Sequence, residues 1–561
     1  MKTCRRIGII LLLLSYPGQP VIGQSHEEQA VLAVTGAAEL EDLETSEYER
    51  FEHFLRHPLR INLLSRSRLL ASGLLTPYQV ATLLEYRSGE GDILSIAELA
   101  LVDGFGTETA RALAPFLSFE SVRRPGETDG RIRTEQELTL RTALRNEDMN
   151  WGARYRISHA ERWEAAVAGR TTYDDKTLFP PSGSSAYAAW FGKRHLGQLI
   201  VGSFNARFGQ GLALWSGFSM SGIPSPQASC RRPSGLSPSW SYAGTGLKGT
   251  AADFNFGRWT FSAFHTFPAS DGTLLCGLNA VRYGRYGQLS STWIRDGEIL
   301  HKFSVDGRFC WKGTDLFAEV ARDLATGATA ALAGLVVPVG DRSRVSWLVR
   351  AYPATYTSDR TGAVRSSTKA ADETGTAVGF SSGTTTITLD AAWHPAKQEG
   401  QVKLLLTDSR SIGRHGILKT RIAERWRTRS PQNRTDVRVD LLQEYGPVAL
   451  NLRLNGLLGN GFGLLGYMES GWKGKRLTLW LRGTVFRIDD WEDRIYAYER
   501  DAPGNFTVPA FYGRGIHGSC YGGWKGRRWK CWLRASVLRY PWMAEKKPGK
   551  AELKLQLSRE W

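Results

Sequence analysis

Beyond residue 130, apolar and polar residues alternate with a period of two through stretch after stretch of this chain. At its end Leu553, Leu555 and Leu557 alternate with Glu552, Lys554, Gln556 and Ser558, and the run closes on Trp561. Just before, Trp529, Cys531, Leu533, Ala535 and Val537 alternate with Lys530, Arg534 and Ser536. Residues 135–144, 155–161, 187–191, 259–267, 345–352, 386–393, 437–445, 448–454 and 477–485 follow the same rule or nearly so. This periodicity makes strands with one apolar and one polar face. About 430 residues, at roughly 9–11 per membrane strand plus turns, predict on the order of 20–24 strands. The fold class expected is therefore mainly β: a large antiparallel transmembrane β-barrel, with a soluble sandwich as the alternative for the last strands taken alone.

Residues 39–120 have helical spacing instead. Leu40, Leu43, Tyr48, Phe51 and Leu55 fall near one face of a short acidic helix. Asn62 and Ser65 can cap a helix carrying Leu69 and Leu70, and a hairpin follows at Ser72-Gly73-Leu74-Leu75. Thr76-Pro77 supplies an N-cap and a first-turn proline for the next helix. Residues 95–101 form another short helix. A second hairpin, Val102-Asp103-Gly104-Phe105-Gly106, precedes Thr107 as cap of a helix over 108–117. This is a tandem helix-hairpin-helix pattern preceding the barrel.

Five segments result: 1–23 signal peptide, 24–56 acidic helical leader, 57–120 helix-hairpin-helix domain, 121–130 polar linker, and 131–561 barrel. The first rests on basic Lys2, Arg5 and Arg6, the apolar run Ile7 to Leu14 and small residues near Gly23. A mean hydropathy of −0.30 excludes a helical membrane protein. The 60 Gly, 19 Trp, 19 Tyr and 23 Phe suit short strands and tight turns.

Charge divides the chain. Residues 24–120 hold 16 acidic residues against 7 Arg and no Lys, a balance of −9. With +3 in the signal and +17 in total, residues 121–561 carry +23. A basic barrel can meet anionic glycolipid head groups or draw polyanions to its lumen, and a solvated strand face is the plainer alternative.

Turns fit hairpins. Asn460-Gly461 reads as a two-residue turn. Trp311-Lys312-Gly313, Trp472-Lys473-Gly474 and Trp524-Lys525-Gly526 repeat a Trp-Lys-Gly signature suited to a membrane interface. Strand counting from the C-terminus does not assign the three to one rim. Taking Lys525-Gly526 as a two-residue loop sets Cys520 opposite Cys531, a cross-strand pair at roughly 4.5–5.5 Å between Cβ atoms. That pair is either a disulfide or two small residues on one face.

The alternating last strand with its terminal aromatic resembles the closing strand of Gram-negative outer-membrane barrels. The resemblance implies that Leu553, Leu555, Leu557 and Trp561 are read by the barrel-assembly machinery. The 60-residue hairpin unit resembles the ComEA-type competence DNA-binding domain, which puts Gly104, Phe105, Gly106 and Thr107 at the phosphate-binding positions. Two glycines permit positive φ, and the following helix offers free N–H groups to a phosphate. The chain departs from that pattern at Leu75, where a glycine is expected, at Glu108 after the cap, and in lacking Lys. DNA affinity comes mainly from cationic side chains on phosphates, so docking of a protein partner ranks above DNA binding.

Most of the mature chain, including Phe208 to Phe218 and the acidic, then aromatic run Asp489 to Asp501, resembles exported proteins that join such a domain to a C-terminal barrel. The implied location is the outer membrane, with the N-terminal domain in the periplasm. No G-x-S-x-G elbow, H-E-x-x-H or P-loop occurs. Asp489, Asp490, Glu492 and Asp493 lack the spacing of an EF-hand loop. No catalytic residue, metal ligand or cofactor is assigned. The function expected is a non-enzymatic barrel whose periplasmic domain docks an envelope protein; the alternatives are DNA binding or uptake, and an unrecognised barrel enzyme.

Overall fold

The computed structural model describes residues 26–43, 45–121, 134–175, 179–217, 219, 221–241, 246–268, 272, 274–297, 300–340, 342–357, 359–429, 433–543 and 548–561. The expected signal peptide and almost all of the linker lie outside them. Among the described residues, 24 strands from Thr134–Arg145 to Lys550–Glu560 close an antiparallel barrel. A further four-residue strand, Gly235–Pro238, adds to Leu196–Arg207. The last strand closes the ring on the first, pairing Leu553 with Leu144 and Leu557 with Leu140.

The faces are inverted relative to a soluble protein. Leu553 and Leu555 are 43% and 44% exposed, while Glu552, Gln556 and Ser558 on the same strand are buried. Val437, Val439, Leu479 and Leu481 face out, and Arg438, Asp440, Thr484 and Arg482 face in. An apolar outer band around a polar interior is stable only where the outer solvent is lipid. No helix among the described residues is long and apolar enough to cross a membrane. The chain is an outer-membrane barrel, and residues 57–120 of its helical N-terminal region lie at the periplasmic mouth.

One rim carries only short turns; the other carries the long connections. The described residues of 208–246, 353–372 and 489–512 fold inward rather than away from the barrel. Arg482 and Arg534, both on the inner face, contact Tyr498 and Glu499 of the last of these. Residues 489–512 contribute a two-residue ladder, Ile495–Tyr496 with Ala510–Phe511, and an isolated bridge between Glu499 and Thr507, but no wall strand. This resolves the Trp-Lys-Gly signature. Once 489–512 is removed from the strand count, Lys312-Gly313, Lys473-Gly474 and Lys525-Gly526 all fall at the short-turn rim. Asn460 is the middle of a three-residue loop, since Leu458 pairs with Phe462.

The expected cysteine pair is corrected. The last tight hairpin turns on Arg527-Arg528, with the Gly526 N–H donating to the Trp529 carbonyl at 2.8 Å. Cys520 therefore faces Ala535, and Cys531 faces Trp524. The two thiols share a sheet face but sit four residues apart along it, roughly 13 Å, and both are free.

The N-terminal region is one helical body. Helices α1 (His26–Thr35), α2 (Thr45–Arg56), α3 (Arg66–Ala71), α4 (Pro77–Gly89), α5 (Ile96–Leu99) and α6 (Gly106–Leu113) share a core including Val31, Leu43, Phe51, Leu69, Leu83, Phe105 and Leu113. The two ends of residues 57–120 meet where Leu59 pairs in parallel with Leu117. Thr76 and Gln79 form the capping box of α4, Thr76 Oγ1 accepting from the Gln79 N–H at 3.2 Å. Asn62 caps nothing; its amide exchanges two hydrogen bonds with the backbone of Ile93, at 2.8 and 2.9 Å. Thr107 is not a cap either, because α6 begins two residues earlier than expected, at Gly106, with Phe105 at the N-cap.

Candidate functional site

The leader does not hang free below the barrel. Its acidic residues reach arginines on the inner wall and the infolded loops. Glu41 accepts from Arg453 Nη1 at 2.6 Å and from the Tyr498 N–H at 3.1 Å, and lies 3.6 Å from Arg438. Glu39 pairs with Arg438 and lies 3.9 Å from Arg421. Arg438 and Arg453 also share Asp440, at 2.7 and 2.5 Å. Glu28 on α1 meets Arg500 at 3.0 Å, Glu49 on α2 lies 3.6 Å from Arg154, and Glu52 accepts from the Gly504 N–H at 2.8 Å. Tyr48 packs against Tyr498 and Phe506, tying α2 to the loop from above.

Burial opposes ionisation of these carboxyls, and the arginines decide which ionise easily. For Glu41, Arg453 and Arg438 outweigh burial and hold the group far below the usual carboxylate range. For Glu39, burial wins over Arg438 and Arg421 and raises the carboxyl. Glu49, with one distant partner, is pushed by burial up to about 7.

The domain at 57–120 is held at the short-turn rim. Arg60 meets Glu135 and Glu161 at 3.2 Å each, and Arg68 meets Glu161 at 3.1 Å and Glu164 at 2.8 Å. The Tyr78 hydroxyl donates to the Arg285 carbonyl at 2.9 Å, and Arg66 Nη1 donates to that of Gly257 at 3.0 Å. Both acceptors lie in barrel turns.

The hairpin residues singled out by sequence lie on this domain. Gly104 and Gly106 have φ of +84° and +66°. A side chain at Gly104 would meet the Tyr78 ring at 2.8 Å, so the close approach demands glycine. The Gly104 carbonyl accepts from Gln79 Nε2 at 2.8 Å. Gly106 and Thr107 are exposed, Phe105 is buried in the core, and Glu108 in the first turn of α6 pairs with Arg344 at 2.7 Å. A carboxylate thus occupies the helix end that a phosphate would need. Leu553, Leu555 and Leu557 lie on the closing strand. The Trp561 N–H donates to the Gln136 carbonyl at 3.1 Å, and the Arg559 guanidinium stacks between Trp529 and Trp561 at 4.9 and 4.5 Å.

Sequence reasoning missed two sets of residues. The wall arginines Arg421, Arg438 and Arg453 could have been found by pairing the −9 of the N-terminal region with the +23 that follows. His53 in the last turn of α2 and His57 just past its end come together with Glu137 of the first strand. Their four-residue spacing was the available signal.

No protein-family profile and no curated protein matches the chain. Solved structures do resemble it. A BenF-like porin from Pseudomonas fluorescens Pf-5 is 10% identical, aligning 77% of this chain with 98% of its own at a TM-score of 0.29. The P pilus usher PapC translocation pore is 8% identical, over 76% and 99%, at 0.34. The siderophore receptor PirA from Pseudomonas aeruginosa is 8% identical, over 78% and 81%, at 0.39. At these identities and scores the likeness says nothing of what this chain carries or binds.

Proposed function

We propose that this protein is a non-enzymatic, gated outer-membrane passage whose gate is its own helical N-terminal body. In this reading residues 57–120 are a helix-hairpin-helix docking module, the part that a periplasmic or envelope protein grips to move the gate. The observation that carries the gate is the insertion of Glu39 and Glu41 among the buried arginines of the lumen. Ionic contacts of this kind hold a plug without fusing it to the wall, because water can re-solvate both partners when they part. Support for the docking module comes from Leu94, Ile96 and Leu101, which stay exposed on it, Leu101 to 80%. An exposed apolar cluster on a small acidic domain suits a protein surface better than a polyanion.

DNA binding at Gly104–Thr107 is the second reading. It is favoured by the positive φ values and the exposed start of α6, and opposed by Glu108 and the missing lysines. Full-length protein in a planar lipid bilayer tests the first reading: wild type should conduct poorly, and Glu39→Gln with Glu41→Gln should open it. Equal conductance of the two folded proteins would refute the gate. Retardation of a DNA duplex by full-length protein at physiological salt, abolished by Gly106→Asp, would reverse the ranking of the domain's ligands.

A further inference from the structure

We propose that His53, His57 and Glu137 form a binding site for a divalent transition-metal ion, of which zinc is the best fit, joining the helical body to the first barrel strand. The inference goes beyond the gate and does not need the gate to move.

His53 lies in the last turn of α2 and His57 directly follows its end, the His57 N–H donating to the His53 carbonyl at 2.8 Å, so the turn continues and the two rings leave it on one side. The ring centroids are 4.8 Å apart at an interplanar angle of 30°. Glu137 comes from the inner end of the strand Thr134–Arg145. One ligand atom from each of the three lies within 4.8 Å of the other two. Donors around a tetrahedral zinc ion sit roughly 3.3 Å from one another, given metal–ligand bonds of about 2.0–2.1 Å. Small side-chain rotations close that gap. Two imidazole nitrogens and one carboxylate oxygen, with a fourth position left for water, are a donor set that suits zinc, cobalt and nickel and disfavours magnesium and calcium.

A second observation points to a ligand. His57 Nε2 is buried and has no hydrogen-bond partner among the described residues. A ring nitrogen hidden from water and left unpaired is costly, and an ion bound there removes the cost. The edge of Trp240 stands 4.8 Å from the His53 ring at 86°, which restricts how that imidazole can turn. An ion can reach the cluster, because both histidines line a cavity of about 380 Å³ together with Arg56, Arg68, Glu164 and Ser239. Charges of both signs surround it. Glu560 faces Glu137 across the seam, its carboxylate paired with Lys530. Arg56, Arg154 and Arg156 act on the same groups, and their repulsion makes the site weaker than the same three ligands in neutral surroundings.

The test uses full-length protein folded in detergent, stripped with a chelator and titrated with zinc chloride by calorimetry, with bound zinc measured by elemental analysis. One zinc ion per chain is expected. His57→Ala and Glu137→Gln should each weaken binding at least tenfold in protein that remains heat-modifiable. Cobalt on the wild-type protein gives a reading independent of variant folding: tetrahedral nitrogen–oxygen coordination produces a strong visible absorption that zinc abolishes. Zinc uptake no greater than that of the folded His53→Ala, His57→Ala double variant would overturn the site. So would a cobalt spectrum no different from that of the free ion.

Discussion

Glu41→Gln is the sharpest test of how the helical body is held. Gln keeps the size of the side chain and can still accept from Arg453 and from the Tyr498 N–H, whose bonds to Glu41 measure 2.6 and 3.1 Å. Only the charge is lost. Arg438 and Arg453 then share Asp440 and Glu39 where they had three carboxylates. Removing one partner of a buried ion pair costs about 3–5 kcal/mol. Asp440 and Glu39 remain, so the lower end applies, about 3 kcal/mol against docking. At tenfold per 1.4 kcal/mol, the undocked population rises roughly a hundredfold. The assay is the open fraction of single channels in a planar bilayer, with protease cleavage between residues 26 and 56 as a second readout. Arg453→Met should produce a similar opening, and the double variant should open far less than the two effects added, because each removes the same pair. Since the Glu41 carboxyl titrates far below the usual range, its contribution is present throughout neutral pH and is lost only in strong acid. An open fraction changed less than about threefold, in heat-modifiable protein, would refute the estimate.

Other outcomes follow from the same contacts. Glu49 is raised from 4.5 to about 7, so the docked body binds a proton that the free leader has released, and docking weakens by up to about 3 kcal/mol as pH rises across that window and is then flat. Glu49→Gln should abolish this pH dependence of the open fraction; a profile identical to wild type would show that another group carries it. Deleting Trp561 removes the final rung to Gln136 and the stack on Arg559, and should lower the yield of folded, heat-modifiable protein in the outer membrane; unchanged yield would contradict an assembly role. Ala535→Cys should cross-link to Cys520 with a short thiol-specific reagent, whereas Cys520 and Cys531 in the native chain should both label as free thiols.

The wall was legible because strand periodicity is a local property. Leu553 and Glu552 lie on opposite faces whatever surrounds them, and the predicted 20–24 strands include the 24 found. Which face meets lipid is not local; the alternation at 552–558 reads the same in a sandwich. The hairpin at Lys525-Gly526 failed because glycine marks a turn without fixing which two residues form it, and a shift of two residues moves Cys520 from Cys531 to Ala535. The rim of the Trp-Lys-Gly turns was hidden by residues 489–512, whose Tyr498, Phe506 and Phe511 pack on the inside of the barrel instead of extending the wall. The N-cap at Thr76 was readable because the cap and the N–H it accepts from are three residues apart. The Glu41–Arg453 and His57–Glu137 associations were not, since they join segments that only the closed barrel brings together.

The barrel wall is not of even height. Among the first eight wall strands, Trp163–Arg170 and Trp259–Thr266 have eight residues each, and Gly183–Phe191 and Leu275–Tyr283 have nine. Across the ring, Glu399–Ile412 has 14, and its neighbours Gly416–Arg427 and Arg434–Tyr445 have 12. With a rise of about 3.3 Å per residue and a tilt of about 45°, the low side stands ~19 Å and the high side ~33 Å. A bilayer must meet both heights around a single circumference, so its acyl chains are compressed on the low side and relaxed on the high side. The cost of that mismatch falls beside those four short strands, where lipid order is disturbed before any ligand or partner arrives.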